Sequence, residues 1–170
     1  MKIVTNDGVY VQKNDIAFLN QTDLPILATI FIKVFGEGVT IIDDTNRYDF
    51  IKFEDKEEIE FLNNLDFIVD YNSLKDLSEE EIIEMAQEVA FENNRIAKRY
   101  NEMSNKERAN NSYMVYECEK LDFKFYSLRD ILWFKRGYIK INLPKGIEYP
   151  NKKDSYKGIK KILKKFKNNK

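Results

Sequence analysis

The fold turns on one stretch, Ser78 to Arg136: SEEEIIEMAQEVAFENNRIAKRYNEMSNKERANNSYMVYECEKLDFKFYSLRDILWFKR. It contains no Gly and no Pro, the two residues that most readily interrupt a helix. Ser78 followed by Glu81 is a capping box, in which the serine hydroxyl and the glutamate carboxylate satisfy each other's backbone N–H groups. Behind it Ile82, Ala86, Val89, Asn93, Ile96, Tyr100 and Met103 recur at alternating steps of four and three, a heptad seam. Ser104 and Glu107 then repeat the capping box, which starts a new helix and therefore a reversal. The second seam runs through Met114, Cys118, Leu121, Phe125, Leu128 and Leu132. The two seams predict an antiparallel helical hairpin of helices 79–103 and 105–136, roughly 37 and 48 Å long at 1.5 Å per residue. The second helix should therefore overhang the first.

Upstream, Ile3-Val4 and Val9-Tyr10-Val11 flank the turn tripeptide Asn6-Asp7-Gly8, a β-hairpin signal. Thr22-Asp23-Leu24-Pro25 opens a helix that runs to Phe35 and stops at Gly36, and its nearly all-apolar composition predicts burial. Val39–Ile42 reads as a strand, 43–46 as a turn and Tyr48–Phe53 as the return strand. Asp55 caps a short acidic helix ending near Leu65, and Phe67-Ile68-Val69 reads as a further short strand. Downstream, Gly137 ends the long helix, Tyr138–Leu143 alternates like a strand returning to the N-terminal sheet, and Pro144, Gly146 and Pro150 mark a linker. Residues 151–170 carry a Lys-rich amphipathic helix with Tyr156, Ile159, Leu163 and Phe166 on one face. The chain thus reads as an α+β protein: an α+β unit over 1–76, the helical hairpin over 77–137, a returning strand and linker over 138–150, and the basic helix.

Charge is unevenly divided. The 170 residues sum to −1, yet residues 152–170 hold nine Lys and one Asp, leaving −9 on the rest. Within 37–92, 18 acidic residues face four basic ones. Such acidic runs are ordinarily solvated helix faces; the functional reading is a docking surface for a basic partner, built from Glu57, Glu58, Glu60 and from the stripe Glu84, Glu88, Glu92. Tyr113, Tyr116, Phe123, Tyr126 and Trp133 lie off the main seam. As core they would be unremarked, whereas Tyr116, Tyr126 and Trp133 left exposed would be binding anchors. The tail reads as a solvated helix, as a non-specific phosphate binder through Lys157, Lys160, Lys161, Lys164 and Lys165 with no Arg for bidentate base recognition, as a helix on an anionic membrane surface, or as a segment that folds onto an acidic protein surface, this chain's own included.

The chemistry available is narrow. Histidine is absent, which removes the commonest general base and metal ligand and every Ser–His or Cys–His nucleophile. The single cysteine, Cys118, sits at a seam position where burial makes a structural role the expectation. Gly36-Glu37-Gly38 follows a helix and lacks the strand–loop–helix setting of a nucleotide loop. Asp43 or Asp44 with Glu54-Asp55-Lys56 resembles the acidic cluster of restriction-nuclease-like enzymes that hold Mg²⁺, although Asp55 serves equally as a helix cap. The expectation is a cytoplasmic, non-enzymatic interaction protein without cofactor or membrane span. It would engage a protein with a basic surface, as a phage or mobile-element inhibitor of a nucleic-acid-processing or CRISPR-type defence enzyme does. Sequence-blind nucleic-acid binding through the tail is the alternative, a Mg²⁺-dependent nuclease the third reading, and the seams leave oligomeric state open.

Overall fold

The computed structural model describes residues 1–19, 25–37 and 48–150. The chain divides into two units, one made of 1–73 with 140–149, the other built on 74–139.

In the first unit, β1 (Lys2–Thr5) and β2 (Gly8–Gln12) form the expected hairpin, with Thr5 opposite Gly8 across the turn. Gly8 is obligatory there: its φ is +148°, and a Cβ would stand 2.5 Å from the Phe53 carbonyl oxygen. β3 (Phe50–Phe53) pairs antiparallel on the other side of β2, so the sheet order is β1-β2-β3. The register sets Val9 against Phe53 and Val11 against Ile51, and Ile3, Val9, Val11 and Phe53 are fully enclosed. α1 (Lys13–Leu19), not foreseen above, follows β2 without a loop and packs on it and on α2 (Pro25–Phe35). α3 (Lys56–Asn63) begins at Asp55, whose carboxylate accepts from the N–H groups of Glu57 and Glu58, and packs on β2. The Lys2 ammonium donates to the carbonyls of Leu62 at 2.8 Å and Asn63 at 3.2 Å, so a cation closes the negative end of α3. Burial holds the Lys2 pKa below its ordinary value, against the pull of Asp70 and Asp66. The Met1 ammonium is itself enclosed, paired with Asp15 and donating to Gln12 Oε1.

Several expectations for this unit are corrected. α2 is not buried all round. Only Leu27 and Ile30 are enclosed and Ile32 is 47% exposed, because an apolar composition does not by itself supply covering layers on every side. Phe67–Val69 is buried but forms no strand. It offers one rung, Lys2 N–H to the Val69 carbonyl, before Asp70 accepts from the Asn72 N–H and turns the chain into α4 (Tyr71–Leu74). Tyr138–Leu143 is not a returning strand either. Residues 140–149 do belong with the first unit, as irregular backbone held by buried Ile141, by Asn142 Nδ2 on Asp49 and by the Tyr71 hydroxyl donating to the Glu148 carbonyl. The strand placed at 39–42, its turn at 43–46 and the basic helix at 151–170 lie outside the described residues.

The second unit is the pair of long helices. α5 (Glu79–Asn101) starts with the Ser78/Glu81 capping box complete: Ser78 N–H donates to Glu81 at 2.7 Å and Glu81 N–H to Ser78 Oγ at 3.2 Å. Chain reversal occupies 102–104, and the Ser104/Glu107 box starts α6 (Asn105–Asn110). The predicted single helix over 105–136 is broken here. Asn111 Nδ2 donates to the Glu107 carbonyl while its backbone leaves the helical region, a short polar side chain competing for backbone hydrogen bonds. α7 (Tyr113–Arg136) follows, closed by left-handed Gly137 with Tyr138 N–H on the Trp133 carbonyl. α5 and α7 pack together and their lengths, 23 and 24 residues, match, so the expected overhang does not arise. The seam is fully enclosed at Ile82, Met114 and Leu128, while Ala86, Val89, Asn93, Ile96 and Tyr100 stay half-buried, because two helices cover each other from one side only. Among the described residues no helix is long and apolar enough to cross a membrane.

Candidate protein-interaction surface

The acidic residues singled out above separate by helix geometry. On α3, Glu58 and Leu62 stand one turn apart on the inner face. Glu58 is therefore buried and takes Lys33 as its ion-pair partner at 2.8 Å, so it is not part of an exposed docking set. Glu57 and Glu60 are exposed. On α5, Glu84 and Glu88 are exposed, whereas Glu92 is gripped through both oxygens by Arg95, at 2.6 and 2.7 Å. That bonding holds the Glu92 carboxyl below its ordinary range. The stripe is thus two free carboxylates and one shared with Arg95.

The aromatics on α7 also separate. Tyr126 and Trp133 lie seven residues apart on one face, and Arg129 lies between them. The Arg129 guanidinium sits 4.8 Å from the Tyr126 ring centre and 4.3 Å from that of Trp133, while its Nη2 donates to Asp130 at 2.9 Å. Tyr126 remains 52% exposed. The arginine is thereby held in place between the two rings. Tyr116 stands apart, ten residues earlier, half-covered by Lys120, whose ammonium lies 5.0 Å from its ring centre. Phe123 is buried. Arg129 is legible from its spacing to Tyr126 and Trp133, though the aromatic pattern alone does not single it out. Phe91 is legible too, since the heptad that turns Val89 and Asn93 inward turns it outward. It is 73% exposed, more than any other large hydrophobic side chain among the described residues.

Between the helices, Asn93 Nδ2 donates to Asp122 Oδ1 at 2.5 Å, and Cys118 Sγ lies 3.9 Å from the Asn93 carbonyl. This contact ties the two helices together at the Asn93 seam position. Burial, then the charges of Asp122, Glu117 and Glu119, push the Cys118 thiol up, away from the nucleophilic thiolate. Of the acidic cluster around Glu54-Asp55-Lys56, Asp55 is spent capping α3, and Glu54 pairs with Lys52, which also holds Asp7 at 3.0 Å. Two carboxylates hold the Lys52 pKa above its ordinary value. Among the described residues no group of three potential ligands is placed to hold a metal ion. Asp43, Asp44 and the tail lysines Lys157, Lys160, Lys161, Lys164 and Lys165 lie outside the described residues. No family model, no curated protein and no solved structure matches this chain.

Proposed function

We propose that this protein is a non-enzymatic interaction module that anchors a protein partner on the Tyr126–Arg129–Trp133 face of α7. The observation that carries this reading is the pre-stacked guanidinium between two rings, one of them half exposed. Tyr, Trp and Arg are the residues that most often dominate binding energy, and they do so best when rotamers are fixed beforehand. Exposed Glu57 and Glu60, in a body of net negative charge, favour a partner with a basic surface and steer its approach. Enzymes that process nucleic acid present such surfaces, and inhibition of one, as a phage or mobile-element protein would do, is the class of role proposed.

The test uses protein captured from the native cells, identified by mass spectrometry and then purified. Tyr126→Ala and Arg129→Ala should each weaken its binding by about tenfold or more, with the circular dichroism spectrum unchanged. Glu57→Gln with Glu60→Gln should slow association at low salt and not at high salt. Binding indifferent to both aromatic-face variants refutes the reading. The second reading, sequence-blind nucleic-acid binding, is favoured by the nine Lys of 152–170. It is recognised by DNA affinity that falls steeply with salt.

A further inference from the structure

The outer face of α5 has a charge order that the α7 site does not use. Phe91 stands at its centre, directed away from α7 and 73% exposed. Toward the N-terminus of the helix lie Glu88 and Glu84; toward the C-terminus lie Arg95 and Lys98. At 100° per residue these five side chains fall within an arc of about 80°, one continuous stripe. The spacing is nearly symmetric about the ring. Glu84 and Lys98 are each seven residues from Phe91, about 10.5 Å along the axis, and Glu88 and Arg95 are about 4.5 and 6 Å from it. Acid, aromatic, base is a sequence of surfaces complementary to itself turned end for end, which is the requirement for an isologous contact.

We infer that a second copy of this chain packs antiparallel on the outer face of α5, about a two-fold axis at Phe91. Phe91 of each copy meets Phe91 of the other, Glu88 of one copy faces Arg95 of the other, and Glu84 faces Lys98. The groups are available for this. The Arg95 side chain is 62% exposed, and Glu92 occupies only its Nε and one terminal nitrogen. Lys98 is 79% exposed, and its ion pair with Glu102 is long, at 4.0 Å. Pairing removes the apolar surface of both Phe91 rings from water, which favours the contact. Opposite charges one turn to either side fix the orientation, since a parallel pair would set Glu88 against Glu88. The contact leaves the Tyr126–Arg129–Trp133 face out of its residue set, so it stands or falls independently of the function proposed above.

The experiment is sedimentation velocity on the full chain from about 1 to 200 μM, a range that brackets weak to moderate dimers. The expected result is a monomer–dimer equilibrium that weakens as salt is raised. Phe91→Glu should remain monomeric throughout, and because the ring is exposed its circular dichroism should match the parent. Glu88→Arg alone and Arg95→Glu alone should each weaken the dimer by about tenfold or more, by setting like charges face to face. The double variant Glu88→Arg with Arg95→Glu should recover most of the affinity. A parent chain that stays monomeric to the top of the range overturns the inference. So does a dimer that survives Phe91→Glu, or a double variant no better than its singles, which would place the contact elsewhere.

Discussion

Arg136→Met should be among the most damaging single changes to the helical pair. Glu79 opens α5 and is 1% exposed. Its Oε2 accepts from Arg136 Nε at 3.0 Å and Nη2 at 2.9 Å, and its Oε1 has no hydrogen-bond partner. The pair also suits the helix ends, a carboxylate at the positive N-terminus of α5 and a cation at the negative C-terminus of α7. Removing the arginine strands a buried carboxylate, a loss of about 3–5 kcal/mol. The Arg136 side chain is 20% exposed, so water reaches the site and the lower figure, about 3 kcal/mol, is expected. Glu79→Met should cost less, about 1 kcal/mol, because a long arginine can swing its head into water whereas Glu79 cannot. The double variant should lose no more than about 1 kcal/mol, leaving a coupling energy of about 3 kcal/mol. Urea unfolding followed by helical circular dichroism measures all four corners of the cycle. If Arg136→Met costs under about 1 kcal/mol, or if the two losses simply add, the ion pair is not what holds the base of the hairpin.

Glu58→Gln should lower stability by about 1 kcal/mol through loss of its partly buried pair with Lys33, whereas Glu57→Gln and Glu60→Gln should stay within about 0.5 kcal/mol; thermal melts of the three separate the inner position from the outer ones. Bonding to the Ser78 backbone and hydroxyl holds the Glu81 carboxyl low, and bonding to the Ser104 hydroxyl and backbone does the same for Glu107. Their folded pKa values lie below the unfolded ones. The stabilisation is therefore complete above the ordinary carboxylate range, about pH 4.3, and is lost as pH falls through the depressed values. Helicity should decline on acidification below that range, and Glu81→Gln with Glu107→Gln should flatten that decline. Cys118, its thiol pushed up by burial, should be alkylated by iodoacetamide at pH 8 more slowly than a free cysteine, and unfolding in urea should remove the difference.

The long helices were legible because their signals are local and repeated. Two capping boxes and two alternating seams locate α5, the reversal and the body of α7 within a residue or two. The break at Asn111 was not legible, since an asparagine in a helix ordinarily points to water and only here turns back on the Glu107 carbonyl. Tyr138–Leu143 and Phe67–Val69 alternate or cluster as strands do, but a strand exists only where a neighbour supplies a ladder, and that is a property of the tertiary fold. α1 was missed because seven residues, Lys13–Leu19, carry too little periodicity to be distinguished from a loop. At the surface, the spacing of Tyr126 and Trp133 could be read directly. The inward turn of Glu58 follows from its place one turn before Leu62, but its partner Lys33, 25 residues away, could not be read.

The order of contacts along the hairpin also sets a direction of assembly. At the tip, Arg108 reaches the Tyr100 carbonyl across eight residues of chain; midway, Asn93 meets Asp122 across 29; at the base, Arg136 meets Glu79 across 57. Loop-closure entropy grows with each separation, so the tip is the least costly place to begin and the pair closes toward its base like a zipper. The Glu79–Arg136 clasp is then the last contact made and the first released. Changes there should act on the rate of opening and leave the rate of closing nearly untouched, whereas changes at Tyr100 or Arg108 should slow the closing itself, as stopped-flow folding would show.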